Sequence, residues 1–173
     1  MVQAEWPPIS SSGEVSFRDT EWPLCRPADG LVSVALLEQG LVLSHAAVPR
    51  ADAVIHHKKL TACGISCMIT RMGYRDRGYG AMVFKAAGKF METSGADLGI
   101  FTCDQALRHF YERAGWHAAL DIYLVGGTKE KPFSSAEMGK LTLLRFFTDR
   151  AEEARADFTA GPMFLELGEG KLW

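Results

Sequence analysis

The chain has 173 residues, 47% of them hydrophobic, 10% aromatic and 23% charged, a globular composition with which one domain buries roughly 70% of its unfolded surface unaided by metals or disulfides. With 19 basic against 21 acidic residues its formal charge is −2, so no broad cationic field exists to hold a phosphate backbone and nucleic acid is not an expected partner. No apolar run reaches the ~18 residues of a membrane span, since Glu38 and Gln39 interrupt the best candidate between Leu31 and Pro49.

Residues 1–173 therefore read as a single domain. The opening MVQAEWPPISSSGEV has neither the basic start nor the apolar middle of a secretion signal, so the expectation is a cytoplasmic protein with no membrane partner. Pro7, Pro8, Pro23, Pro27 and the run Ser10 to Gly13 make residues 1–30 a turn-rich arm. Leu31 to Leu37 and Leu41 to Val48, separated by Glu-Gln-Gly, read as two antiparallel strands. Residues 53–59 and 61–71 extend this meander, with Gly64 marking a bulge or a close backbone approach.

The period then changes. From Tyr79, apolar residues at Met82, Val83, Ala86, Ala87, Phe90 and Met91 predict a helix with one buried face. Residues 97–103 have strand length, and Asp104 is placed to cap a helix in which Leu107, Phe110, Tyr111 and Ala114 share a face until Gly115. A strand follows from His117 to Val125, closed by Gly126-Gly127. Leu141 to Phe147 is ambiguous with a preference for strand, Asp149 to Asp157 reads as a short charged helix, and Met163 to Leu167 as a last strand within a C-terminal segment, 158–173, that ends in an acidic tail. Together these elements predict an α+β fold.

Cys25, Cys63, Cys67 and Cys103 are too scattered for a disulfide framework, and within one strand Cys63 and Cys67 would stand ~13 Å apart. Their spacing among dispersed histidines matches no zinc site, so no metal is expected. His56 and His57 would face opposite ways in a strand. Trp6, Trp22 and Tyr74 are aromatics that either stack on a sugar ring or cover a core edge.

The informative stretch is Met68 to Trp116. At its centre, Arg75-Asp76-Arg77-Gly78-Tyr79-Gly80-Ala81 places alternate glycines just before a helix, where backbone N–H groups and the helix dipole favour an anion. It is neither a dinucleotide fingerprint, since Val83 stands where a small residue is needed, nor a nucleotide triphosphate loop, since no Gly-Lys-Ser/Thr is present. Phe110-Tyr111-Glu112-Arg113-Ala114-Gly115-Trp116 follows at the end of the second helix. Tyr111 alone could equally be a core tyrosine.

The two motifs together resemble the GNAT superfamily of acetyl-CoA-dependent N-acetyltransferases. The resemblance implies a central mixed, mostly antiparallel sheet flanked by helices, with splayed strands that admit acetyl-CoA as co-substrate. It implies that Arg75, Arg77, Gly78, Tyr79, Gly80 and Ala81 wrap the coenzyme pyrophosphate, and that Met68, Ile69 and Thr70 pair with pantetheine and polarise the acetyl carbonyl through their backbone, their side chains mattering less. It further implies that Tyr111 protonates the departing thiolate, which a phenol of pKa ~10 can do at neutral pH. Family members often pair as homodimers.

Within the superfamily, the chain from Leu31 onward is similar to the aminoglycoside 2′-N-acetyltransferases. Ser44-His45-Ala46-Ala47-Val48, the run Leu98 to Asp104, and the tail Glu166-Leu-Gly-Glu169-Gly-Lys-Leu-Trp173 carry that likeness. It implies an aminosugar antibiotic as small-molecule substrate, resistance as the role, and an acidic tail with a terminal tryptophan carboxylate that holds a cationic sugar. The tail also reads as a solvated end. Ser66 stands where the family commonly has a glutamate that relays the amine's proton, and serine cannot serve as that base. Asp104, Glu166, His45 or the terminal carboxylate would have to substitute. Ser66 also removes negative charge from the substrate site, which suits a smaller, less cationic aminosugar such as kasugamycin. The alternatives are another amine (a protein N-terminus, a lysine, a polyamine) or a non-catalytic acetyl-CoA-binding module.

Overall fold

The computed structural model describes residues 31–55, 58–128, 130–158, 160–165, 167–168 and 170–173; the expected arm 1–30, and with it Trp6, Trp22 and Cys25, as well as His56, His57, Glu166 and Glu169, lie outside these residues. The chain order is β1 (Val32–Glu38), β2 (Leu41–Val48), β3 (Arg50–Ile55), β4 (Lys58–Cys63), β5 (Ser66–Thr70), α1 (Tyr79–Thr93), β6 (Leu98–Cys103), α2 (Arg108–Glu112), β7 (His117–Ala119), β8 (Ile122–Gly127), β9 (Pro132–Ser134), β10 (Leu141–Phe146), α3 (Asp149–Glu153) and β11 (Gly161–Phe164). The fold is α+β, with mixed, mostly antiparallel strand pairing. No helix among the described residues is long and apolar enough to cross a membrane.

β1 and β2 form the expected hairpin, turned at Gln39 and Gly40 with φ of 48° and 79°, the backbone signature that matches strand twist in a two-residue turn. Beyond Pro49 the chain continues as β3, antiparallel to β4 from Arg50↔Cys63 to Ile55↔Lys58. The segment 53–59, read as one strand, is thus divided between two strands of opposite direction. The sequence did not reveal the reversal, because no glycine or proline marks a turn within residues 53–59.

The expected strand 61–71 is broken at Gly64-Ile65 into β4 and β5. That break decides the architecture. β4 runs parallel to β6 at Ala62↔Leu98 and Cys63↔Gly99, whereas β5 pairs with β2 in a separate three-stranded sheet of order β1-β2-β5. Strands that start side by side therefore diverge, leaving the far edge of β5 without a strand among those described.

β6 continues into a five-stranded sheet of order β3-β4-β6-β10-β7, and a third sheet has order β11-β8-β9. The expected strand His117 to Val125 is two strands, separated at exposed Leu120 and Asp121, because β7 pairs with β10 while β8 lies between β9 and β11. β10 confirms the preference for strand at Leu141, and β11 is parallel to β8 with Met163↔Leu124. The charged helix 149–157 is α3 followed by a 3-10 turn, and Thr148 Oγ1 caps it by accepting from Ala151 N at 3.2 Å.

α1 begins and ends close to expectation, but its buried face does not. Val83, Phe84, Ala87, Gly88 and Met91 are buried, while Met82 and Ala86 are exposed. Phe84 turns the helix inward because it joins an aromatic cluster, with ring centroids 4.8 Å from Tyr111, 5.8 Å from Trp116 and 6.1 Å from Phe101. Each such ring contributes roughly 1.5–3 kcal/mol through burial, and Gly99 makes room for Trp116, whose Cη2 lies 2.3 Å from where a β-carbon would stand.

Candidate functional site

β5 presents its free edge to a cleft that the glycine turn and α2 complete. Arg71 N donates to Leu43 O at 2.8 Å, and since bonded pairs alternate along an antiparallel ladder, the backbone groups of Thr70 turn toward the cleft. There the Thr70 carbonyl accepts from Arg75 Nε at 3.1 Å. On the other side Ser44 anchors the strand, its Oγ donating to Ile69 O at 3.1 Å and lying 3.0 Å from Thr70 Oγ1.

The turn that precedes α1 is tightly wound. Gly73, Asp76 and Gly78 have φ of 85°, 62° and 77°, left-handed values that glycine adopts freely and aspartate tolerates. Gly78 precedes α1 with no side-chain cap and no acidic residue in the first turn, so the first N–H groups of the helix remain available to a bound anion. A β-carbon at Gly80 would stand 3.2 Å from Thr70 Oγ1 and 3.6 Å from Met68 Cε. The helix start is pressed directly onto β5.

A cavity of about 410 Å³ occupies this junction, lined by Met68, Ile69, Thr70, Arg75, Gly78, Tyr79, Gly80 and Ala81, with Tyr74, Asp76 and Phe110. Eight of the nine residues expected to touch the coenzyme therefore meet in one place. Arg77 does not line it; its guanidinium lies over the Tyr74 ring, 5.4 Å from the centroid. Tyr74, considered as a sugar-stacking ring, stands at this anion end beside Tyr79, with centroids 6.5 Å apart.

A smaller cavity of about 190 Å³ continues along β5, lined by Met68, Ile69, Thr70, Leu107, Phe110 and Tyr111. Tyr111 is 6% exposed, and its hydroxyl donates to Met68 Sδ at 3.9 Å. Burial, with smaller contributions from Cys103 and Asp104, pushes its phenol well above the ordinary value, so it carries its proton across the neutral range.

Of the residues expected at the substrate end, Ser66, Asp104 and Trp173 are described. Ser66 and Thr102 each lie three positions along the chain beyond the last paired residues, Cys63↔Gly99. Trp173 touches Thr102 and Gly64. Its O accepts from Thr102 N at 2.8 Å and from Thr102 Oγ1 at 2.5 Å, while its indole covers Gly64, where a β-carbon would meet ring atoms at 2.4 Å. Thr102 carried no signal in the sequence, because its role depends on a partner remote along the chain.

Asp104 was expected to cap a helix. It makes no side-chain cap; its carboxylate instead accepts from Lys140 Nζ at 2.5 Å, and the segment is a 3-10 turn, Gln105–Leu107, leading into α2. His45 is 3% exposed, with Nδ1 3.2 Å from Cys67 O and Nε2 3.2 Å from Ser33 Oγ, and burial lowers its pKa. It serves as a strand-to-strand tie. Cys63, Cys67 and Cys103 are free thiols, and burial pushes that of Cys103 up to about 11, which makes it a poor nucleophile.

No family model matches the chain, and no curated protein matches it. Among solved structures, a candidate N-acetyltransferase from Lactobacillus plantarum is similar over 85% of this chain and 86% of its own, with a TM-score of 0.51 and 20% identity. A GCN5-related N-acetyltransferase from Kribbella flavida is similar over 50% of this chain and 22% of its own, with a TM-score of 0.45 and 14% identity. A GNAT family acetyltransferase from Brucella melitensis in complex with acetyl-CoA is similar over 50% of this chain and 53% of its own, with a TM-score of 0.42 and 21% identity. The chain spans only 21% to 23% of the length of several structures that it matches over half its own. What the Lactobacillus protein shares with this chain is the fold, the mixed α+β arrangement described above.

Proposed function

We propose that this chain is an acetyl-CoA-dependent N-acetyltransferase acting on an aminosugar, with the 2′-amine of an aminoglycoside such as kasugamycin as the first candidate acceptor and antibiotic resistance as the role. The observation that carries the reading is a pair of cavities that share Met68, Ile69, Thr70 and Phe110, one at the uncapped start of α1 and the other at Tyr111. In this reading residues 1–173 act as one catalytic unit.

The residues present fit the coenzyme. Gly78 and Gly80 leave room for a pyrophosphate against the first turn of α1, Arg75 adds positive charge, and the exposed backbone of β5 gives an extended amide chain a strand edge to pair with. A backbone N–H of β5 that turns toward the cleft, that of Thr70 first, polarises the thioester carbonyl. The acceptor amine attacks that carbon directly; as the C–N bond forms and the C–S bond breaks, the amine's proton passes to solvent. Tyr111 gives its proton to the departing sulfur and regains one from solvent.

Among the described residues Ser66 offers no base, Asp104 is paired with Lys140, and Trp173 O is held by Thr102. In this reading the amine arrives neutral. The rate kcat/KM is expected to rise with pH as the acceptor ammonium loses its proton and then to level off, with no fall from Tyr111, whose phenol stays protonated above the ordinary range. A flat profile from mildly acidic to mildly basic pH would count against this scheme.

Ser66, a serine where the family commonly has a glutamate, also favours a second reading, a module that binds acetyl-CoA without turnover. Thiol release from acetyl-CoA against a panel of aminoglycosides including kasugamycin, with mass and NMR analysis of product, separates the two. Acetylation at a 2′-amine is the expected result. Silence with acetyl-CoA still bound would retire the antibiotic reading and direct the search to peptide, lysine and polyamine acceptors.

A further inference from the structure

Met68 enters the cleft twice. Its sulfur accepts the Tyr111 hydroxyl at 3.9 Å, while its terminal methyl lies 3.6 Å from where a β-carbon of Gly80 would stand. One flexible side chain thus reaches from the tyrosine to the start of α1, and it lines both the larger cavity at the glycine turn and the smaller one at Tyr111. Ile69, Thr70 and Phe110 line both cavities too, but of these four only Met68 holds the Tyr111 hydroxyl. The backbone of Met68 is what the resemblance singles out; the side chain has the more unusual position.

We propose that the Met68 side chain is a displaceable gate across the thioester channel, and that its sulfur holds the Tyr111 hydroxyl in the empty enzyme in the place later taken by the sulfur of the coenzyme. The inference rests on the acetyltransferase reading above. A buried hydroxyl is seldom left unpaired, and around Tyr111 the neighbouring rings of Phe84, Phe101 and Phe110 offer it no conventional acceptor. The thioether supplies a weak one. Because methionine is unbranched and changes rotamer easily, it can surrender the hydroxyl to a second sulfur arriving along β5. The exchange is nearly even in kind, one divalent sulfur for another. It keeps Tyr111 oriented before and after the coenzyme binds, and it places a small barrier in front of the pantetheine arm but none in front of the nucleotide.

The test is a comparison of two ligands on the full chain by calorimetry and stopped-flow binding. Adenosine 3′,5′-bisphosphate reaches only the turn; acetyl-CoA must also pass Met68. Met68→Leu keeps the apolar volume and removes the sulfur, and it is expected to tighten acetyl-CoA by roughly two- to fivefold, mostly through faster association, while leaving the bisphosphate unchanged. In a Tyr111→Phe background the same substitution should give no such gain, since no hydroxyl remains to hold the gate. Equal or weaker acetyl-CoA binding by Met68→Leu, or the same gain with and without the hydroxyl, would overturn the gate while leaving the acetyltransferase reading intact. Failure of the unaltered chain to bind acetyl-CoA would overturn both.

Discussion

Tyr111→Phe is expected to lower turnover about a hundredfold, the lower range for loss of a positioned general acid, while acetyl-CoA affinity changes by no more than a few fold. The two readouts separate because Tyr111 touches the site through one hydrogen and the core through a whole ring. Phenylalanine keeps the packing against Phe84, Phe101 and Phe110, at centroid distances of 4.8, 4.9 and 4.9 Å. It loses only a hydroxyl bonded to a thioether, so its cost in stability should stay below about 1 kcal/mol. Steady-state kinetics with a second thioester sharpen the test. A more acidic leaving thiol needs less help from a proton, so the deficit of the variant should shrink with it. A deficit of equal size for both thiols would assign Tyr111 to packing, and unchanged turnover would remove it from the mechanism.

Gly64→Ala should act where β4 gives way to β5, two residues before Ser66. The new methyl would lie 2.4 Å from Trp173 Cε3, 2.6 Å from Cδ2 and 2.9 Å from Cγ. These atoms belong to the rigid body of the indole, so the ring as a whole must leave the divergence of β5 and β6. With it would go the hold of Thr102 on Trp173 O and the seating of the tail, where Lys171 O accepts from Gly127 N at 3.0 Å. Overpacking of this kind costs about 1–3 kcal/mol, which for a domain of this size lowers the melting temperature by roughly 2–12 °C. The acceptor KM is expected to rise about tenfold with acetyl-CoA affinity unchanged, because the displaced groups flank Ser66 rather than the glycine turn. Trp173→Ala should give a similar loss, and adding it to Gly64→Ala should cost little more, since both act on one contact. Full additivity would mean that the indole does not sit on Gly64.

Much of the local structure was legible before any coordinates. Apolar spacing placed α1, two Val- and Leu-rich runs around Glu-Gln-Gly placed β1 and β2, and two glycines marked the turn ahead of α1, because each is set by interactions within a few residues of the chain. Gly64 was even flagged as a point of close approach. The sequence did not say what approaches: Trp173 lies at the opposite end, and nothing near Gly64 encodes it. For the same reason one alternating run from His117 to Val125 could not reveal that its halves belong to different sheets, nor could the apolar stripe of α1 show that Phe84 would be drawn in and Met82 left out. Strand edges are chemically alike along the backbone, and side-chain packing between remote segments decides which of them pair. The sequence by itself thus determined the β1–β2 hairpin, α1, the glycine turn ahead of it and the tyrosine worth testing. Only the tertiary structure decided that β5 and β6 separate, that Asp104 is spent on Lys140 and His45 on the strands beside it, and that the Met68 side chain bridges Tyr111 and the start of α1. Each of these depends on distances between groups that the chain brings together only when its core closes.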